Sequence, residues 1–546
     1  MTPPWAIRAL AALAAAILLV GSAIAISRTR APEAPRDEAA TEADVAPTPT
    51  GSPRSAPDLP HEPADAEALG GDALLAAGLR AASGPWADLG HPAWPAEERP
   101  VYVASLRLDP GRRRLQADVV VAYRADRDLD RLVLRLLPAS DTLADAGTSL
   151  DIATRRDGRD VASDVDPAGA RLFVRLDPPL REGDATVVRA QLSYALADRA
   201  DIRDDGGPVG FGLLAWSPEV TVLGHWLPLL TVPSDDGPMI PIGDVGAFPV
   251  AVWSLRIHTG GAEILTGAEE QDCPAAVRTI PDEPCVWARG VALRDVAVVA
   301  YDRLESRSAT VGPVRVHASG PAGMAGLDEA LDISAASVRS FLERFGPLAW
   351  REVDVVAAPL SAGAAGMEFP GLVVIGEDLY DRMDVRFGAY IVAHEVAHQW
   401  WHALVGNGSL SAPVVDESLA QYCAYLFYAD TYGQDVAAQL ADRVFVRRYE
   451  LARDAGVQDE PPAQPLGEFD SVEAYGALVY ARAPLGWLAA EEAAGREQLV
   501  GFLGDIVDRA GLGFITDREL LAQARDRDPA VADALQRYWF DPAPVG

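Results

Sequence analysis

The chain has 546 residues and a formal net charge of −33, from 80 acidic residues against 47 basic ones. Its length exceeds the roughly 250–300 residues that one hydrophobic core holds, so two or three domains are expected, and 49% hydrophobic with 23% charged content excludes bulk disorder. The acidity argues against a nucleic-acid partner, and because every basic residue is Arg, Schiff-base chemistry and a Walker-type phosphate loop are excluded.

At the amino terminus Arg8 precedes a charge-free, mostly apolar run over residues 9–26, and Arg28 and Arg30 follow it. Eighteen residues reach the lower limit for a bilayer span, while Ala23-Ile24-Ala25 offers a small-residue cleavage site. Residues 1–30 are therefore expected to be a signal-anchor or a signal peptide. The first makes the protein a single-pass cell-membrane protein with the rest of the chain extracytoplasmic, and the second makes it secreted. Residues 31–98 shift to Ala, Pro, Asp, Glu, Thr and Ser and read as a flexible acidic linker, with a short amphipathic helix near residues 72–82.

From 99 to 310 the pattern changes to short runs of period two, such as residues 101–108 and 116–123, separated by turns such as Asp109-Pro110-Gly111. Many short strands without a fixed repeat period predict an antiparallel β-sandwich. Cys273 and Cys285 flank a Pro-rich excursion and either close a small disulfide loop or stand as two thiols; no CxxC is present. From 311 to 546 helical periodicity dominates, after strands near residues 314–317 and 353–357. Helices are expected over residues 327–345, 389–404, 417–428, 434–455, 484–494, 496–510, 517–527 and 530–538.

The chemistry falls in this second half. In His394-Glu395-Val396-Ala397-His398 the two His are four apart, so on a helix both imidazoles project from one face toward one metal. Glu395 sits beside that metal, where it takes a proton from water as general base. The flanking residues Ile391, Val392, Val396, Trp400 and Trp401 are apolar, which marks a buried helix whose polar residues need partners. Glu417 follows His398 with eighteen residues between and opens a second helix. Two His and one Glu leave a fourth position open, the mark of a catalytic rather than a structural zinc site. His402 continues the four-residue series but is excluded as a ligand, because on one helix it lies about 12 Å from His394 along the axis. Cys423 falls on the packed stripe of the second helix and reads as core.

With these residues the chain resembles the aminopeptidase N family, the gluzincin zinc peptidases that include leukotriene hydrolase. The family pattern is HExxH, eighteen residues, then Glu in a stretch like LNEGFA; here that stretch is Val415-Asp416-Glu417-Ser418-Leu419-Ala420, with Asp in place of Asn. The family's G-A-M-E-N motif is matched in part by Ala365-Gly366-Met367-Glu368-Phe369. The resemblance implies that Gly366, Met367 and Glu368 bind substrate, Glu368 through its free α-amine. It implies too that Tyr480, in Tyr480-Ala481-Arg482-Ala483-Pro484, donates to the oxyanion, with Tyr475 as runner-up. Pro484 suits the first turn of a helix, which would set Tyr480 at the helix entrance.

By resemblance the fold is a multidomain α+β chain, an N-terminal β-sandwich followed by a thermolysin-like, mainly helical catalytic domain with a small sheet. The implied activity is aminopeptidase action on peptides with one Zn2+ ion held by His394, His398 and Glu417. The alternatives are a zinc endopeptidase, an epoxide-hydrolase-like enzyme on the same site, or a non-catalytic surface binding module. Only about sixty residues follow Tyr480, where long members carry a large helical domain, so an open groove tolerant of longer peptides is expected. The implied partners are peptides and, through residues 1–30, a membrane.

Overall fold

The strand Val101–Leu108 is buried along nearly its whole length, not on alternate residues. Both of its faces are covered: one by the sandwich interior, the other by the helices Pro63–Leu69 and Gly71–Asp88. A strand enclosed on both sides needs a continuous apolar run, and Val-Tyr-Val-Ala supplies one. This computed structural model describes residues 59–542 apart from 89–98, 203–210, 276, 279–282, 361–363 and 384–385.

Over residues 63–88 those two helices take the place of the expected flexible linker, the second extending the short helix expected near residues 72–82; residues 31–58 and 89–98 of that expectation lie outside the described residues. Ala66, Leu74 and Leu75 are buried, and the Glu67 carboxylate accepts from Arg155 at 2.9 Å and Arg189 at 2.8 Å. The composition there is linker-like, but Ala and Leu at helical spacing meet an apolar sheet face that composition cannot see. The membrane-anchor expectation is also corrected: no helix among the described residues is long and apolar enough to cross a membrane. The run over residues 9–26 that motivated it lies outside the described residues.

The N-terminal half is built of sheets of eight, five and four strands. It is not purely antiparallel, since Val101–Leu108 pairs antiparallel with Arg114–Arg124 but parallel with Ala251–His258. Tyr102 stacks on Trp253 with ring centroids 4.0 Å apart and its hydroxyl accepts from the Leu230 amide at 2.9 Å, joining the eight-stranded and four-stranded sheets. Cys273 and Cys285 form a disulfide with Cα atoms 5.4 Å apart, packed with Val277 and Trp287.

The second half opens on a five-stranded sheet in the order Leu304–Val311, Val314–Pro321, Glu352–Ala358, Leu372–Gly376, Gly366–Phe369. Leu304–Val311 hairpins onto Val314–Pro321 through Gly312 at φ 57°, so the change of sheet falls ahead of Leu304. The parallel step from Val314–Pro321 to Glu352–Ala358 is bridged by the helix Leu327–Phe345, the crossover that parallel strands require. That helix packs on Arg386–Ala397, which in turn packs on Val414–Tyr432.

Arg294 ties the halves together. Its guanidinium is buried and donates to the carbonyls of Phe248 at 3.0 Å, Ala403 at 3.0 Å, Leu404 at 3.2 Å and Gly513 at 2.7 Å. One β-domain side chain thereby fixes the loop that follows the HExxH helix.

Candidate active site

Arg386–Ala397 is a helix without a polar stripe: Val392, Ala393, Val396 and Ala397 are all buried. It stops at Ala397, where a helix over 389–404 is expected from periodicity. The chain turns back there, with Ala403 N donating to His398 O at 3.0 Å and Val405 N to Trp400 O at 2.9 Å. Packing of Trp400 and Trp401 against Phe345 holds this turn, a tertiary contact that periodicity does not report.

His394 and His398 project from the last turns of this helix, and their Nε2 atoms lie 3.3 Å apart. Glu417 Oε2, from the facing helix Val414–Tyr432, lies 3.4 Å from His394 Nε2 and 3.6 Å from His398 Nε2. Three donors with these separations match three corners of a tetrahedron with bonds of about 2.0–2.2 Å, the zinc–nitrogen and zinc–oxygen range. Glu417 Oε2 is also a buried atom without a hydrogen-bond partner, which burial penalises unless a cation faces it. His398 Nδ1 is within 2.9 Å of the Trp401 carbonyl, which selects the tautomer with Nε2 free toward the other donors. The residues present therefore fit a zinc ion.

Glu395 is buried beside this triad. A Cβ on Gly366 would lie 2.6 Å from Glu395 Oε1, so the edge strand Gly366–Phe369 reaches the carboxyl only because that position is glycine. Burial and the neighbouring Glu368 carboxylate push the Glu395 pKa well above the usual range. Burial pushes Glu368 up to about 7, against the attraction of His398 and His402. For Glu417 burial acts in the same upward direction, but the facing imidazoles of His394 and His398 hold it below the usual carboxylate range.

The edge strand divides its residues by face. Glu368 joins two potential donor clusters, one with Glu395 and His398, the other with Asp244 and His402. Met367 points the other way, into an apolar cluster with Val356, Phe369 and Val374. Period-two alternation sends neighbours to opposite faces, so of the expected substrate-binding residues it is Glu368 whose side chain lies on the face of the triad.

Tyr480 hydroxyl donates to Glu417 Oε1 at 2.5 Å, whereas Tyr475 reaches only the Tyr480 hydroxyl, at 3.5 Å. Burial and the Glu417 charge raise the Tyr480 pKa far above neutral, so the phenol keeps its proton. Tyr480 does not stand at a helix entrance. The helix starts at Val472, capped by Ser471, and runs through a π turn at Leu478–Arg482 into Ala483–Ala494. Pro484 has no N–H and its ring crowds the carbonyl four residues back, that of Tyr480, and a wider turn relieves both. Arg482 is buried and ion-paired with Asp459 at 2.9 Å, a structural role.

Asp416, where the resembled family has Asn, accepts from Asn407 Nδ2 at 2.9 Å and from the Glu417 amide at 2.9 Å, and its other oxygen lies 3.1 Å from His402 Nδ1. His402 holds an unusual φ of 141°. It thus orients the start of the glutamate helix, a link invisible in sequence because it depends on the turn after Ala397. Sequence reasoning also missed Arg448, whose guanidinium lies 5.9 Å from the Tyr480 ring centroid; it reads in sequence as one more charge on a helix surface.

A sheet-rich half followed by a five-stranded sheet and helices, with the HExxH helix facing a glutamate-bearing helix, is the arrangement that the resemblance to the gluzincin zinc peptidases implies. Residues 329–532 match the model of the peptidase family M1 domain. The structure is similar to that of an M1 zinc metallopeptidase from Deinococcus radiodurans, with TM-score 0.60, 19% identity, and coverage of 82% of this chain and 96% of that one. A mutant of that enzyme bound to a Tyr-Ser-Ala substrate gives TM-score 0.61 at 18% identity, with the same coverage. These likenesses concern the fold. Among curated proteins, aminopeptidase RNPEPL1 of Mus musculus and of Homo sapiens are each 33% identical over 89 residues, which is 16% of this chain and only 12% of theirs. Residues 329–532 thus carry the sequence pattern of the peptidase family M1 domain.

Proposed function

We propose that this protein is a zinc-dependent aminopeptidase that removes N-terminal residues from peptides, with one ion held by His394, His398 and Glu417. The observation that carries the reading is the triangle of His394 Nε2, His398 Nε2 and the otherwise unpartnered Glu417 Oε2, with separations of 3.3 to 3.6 Å. The two other clusters of potential donors both share Glu368 and are richer in carboxylates, which suits them to an organic ammonium. A zinc ion in the triad supplies Lewis acidity, lowering the pKa of water toward about 7 and polarising a carbonyl.

The chain's own groups do the rest. Glu368 pairs with the substrate's α-ammonium and so sets the scissile bond one residue in. Glu395 takes a proton from the attacking water and passes it to the leaving amine. Tyr480 turns its phenol from Glu417 to the carbonyl oxygen as negative charge grows there.

A panel of aminoacyl anilides, with and without a chelator, tests the reading, together with Glu395→Gln. Chelator-sensitive cleavage is expected, and the variant should retain zinc and lose turnover by at least about a thousandfold, within the range seen for essential acid–base groups. Cleavage of N-acetylated peptides at the rate of free-amine peptides would replace the aminopeptidase reading with an endopeptidase one.

A further inference from the structure

Among the described residues three groups of side chains bring potential metal donors within 4.8 Å of one another. One is the triad His394, His398 and Glu417, and a second, Glu368 with Glu395 and His398, borrows a triad ligand. The third, Asp244 with Glu368 and His402, shares no residue with the triad. Its members come from three separate elements. Asp244 lies in the β half ahead of the strand Ala251–His258, Glu368 on the edge strand Gly366–Phe369, and His402 in the turn after the HExxH helix. Asp244 is steadied by the Val245 amide, which donates to its Oδ1 at 2.6 Å.

Two observations beyond this proximity point to a bound cation. Glu368 is only 8% exposed and has no hydrogen-bond or ion-pair partner among the described residues. A buried carboxylate in that condition is costly until a cation meets it. His402 is held from behind by a second carboxylate: its Nδ1 donates to Asp416 Oδ2 at 3.1 Å. Asp416 is itself fixed, because its Oδ1 accepts from Asn407 Nδ2 and from the Glu417 amide at 2.9 Å each. With Nδ1 so engaged, the imidazole lone pair stands on Nε2, and a carboxylate behind a histidine in this way orients it and makes it a better metal ligand. Asp416 is also the position at which the chain departs from the Asn of the resembled family's stretch.

We infer that Asp244, Glu368 and His402 form a second divalent-cation site, backed by Asp416, and that an ion there occupies the seat of the substrate's ammonium. Two carboxylate oxygens and one imidazole nitrogen suit the zinc and manganese class, between the all-oxygen sites of calcium and the thiolate-rich sites of softer metals. Donor atoms 4.8 Å apart are spanned by two bonds of about 2.4 Å, and closer pairs by the bonds of about 2.0–2.2 Å that zinc makes. With one imidazole against the triad's two, this is the weaker zinc site. Because the two sets share no ligand, it fills without emptying the triad. The ion-binding half of the inference stands by itself, while the competition with substrate rests on the aminopeptidase reading, in which Glu368 holds the ammonium.

Equilibrium dialysis of the full chain against buffered free zinc counts ions per chain and tests the site without reference to activity. Two steps are expected, and Asp244→Asn and His402→Asn should each weaken the second by at least about tenfold, the lower end for groups that merely orient a metal ligand. One ion per chain up to the solubility limit of zinc overturns the inference. So does a second step that neither substitution moves, since that is zinc scattered over an acidic surface. Should one variant fail to fold, the other and the wild-type count decide. On an alanyl anilide, zinc at roughly ten times the midpoint of the second step should raise KM about elevenfold with kcat unchanged. An unchanged KM with the second site filled overturns the shared seat. Absence of anilide cleavage with only the triad loaded overturns the aminopeptidase reading, and the ion count still judges the site.

Discussion

Replacing Tyr480 by Phe removes one oxygen that has two jobs. In the resting structure it donates to Glu417 Oε1 at 2.5 Å, and that contact helps hold the carboxylate whose other oxygen faces the two imidazoles. In the proposed reaction the same phenol donates to the carbonyl oxygen as that oxygen gains charge. Loss of one such donor costs about 3–4 kcal/mol in the barrier, a fall in kcat of roughly 100–1000-fold. Loss of a hydrogen bond to a charged group costs a further 1.5–3 kcal/mol or so, which should appear as zinc affinity weaker by about one to two orders of magnitude. Measuring kcat on an alanyl anilide at saturating zinc, and zinc affinity by competition with a chelating dye, separates the two effects. Tyr475→Phe is the control: its hydroxyl touches only that of Tyr480, at 3.5 Å, so less than a tenfold change is expected. A Tyr480→Phe enzyme within fivefold of wild-type kcat at full metal occupancy would refute the assignment, and a larger loss in Tyr475→Phe would transfer the role.

Two other perturbations test the frame around the site. Gly366→Ala places a methyl 2.5 Å from Glu395 Cγ, so either the edge strand or the carboxylate must shift; kcat should fall by about ten- to a hundredfold, as for a misplaced catalytic group, with zinc content unchanged, and equal activity would show that Glu395 has slack. Replacing both Cys273 and Cys285 with Ser opens a loop of sequence separation 12, worth about 3 kcal/mol by loop-closure entropy. Denaturant unfolding followed through Trp287, packed on that bridge, reads the loss, and a change below about 1 kcal/mol would mean the unfolded chain gains little freedom there.

The legibility of the site follows the range of the interactions that make it. His394 and His398 sit one turn apart, so helix geometry alone brings their imidazoles together wherever the helix packs. The helix Val414–Tyr432 begins close to where a glutamate at its start requires, and its apolar face at Leu419, Tyr422, Cys423 and Leu426 is buried as periodicity implies. Other features have no local signature. The HExxH helix ends at Ala397 because Trp400 and Trp401 pack against Phe345, more than fifty residues away in sequence. The helices at Pro63–Leu69 and Gly71–Asp88 exist because a sheet face needs covering, and their own composition resembles a linker.

The sequence by itself determined the pair of imidazoles, the place of Glu395 beside them and the change from sheet to helix between the halves. Each of these depends on spacings of two or four residues, which backbone geometry converts directly into faces. Tertiary structure set the 3.4 and 3.6 Å separations at which Glu417 Oε2 faces the two imidazoles, the contact of the Tyr480 hydroxyl with Glu417 Oε1, the turn of Met367 into an apolar cluster and the place of the Arg448 guanidinium over the Tyr480 ring. These are meetings between side chains on separate elements, and their distances are set by how helices and sheets pack, a property of the folded whole that no short window of residues encodes.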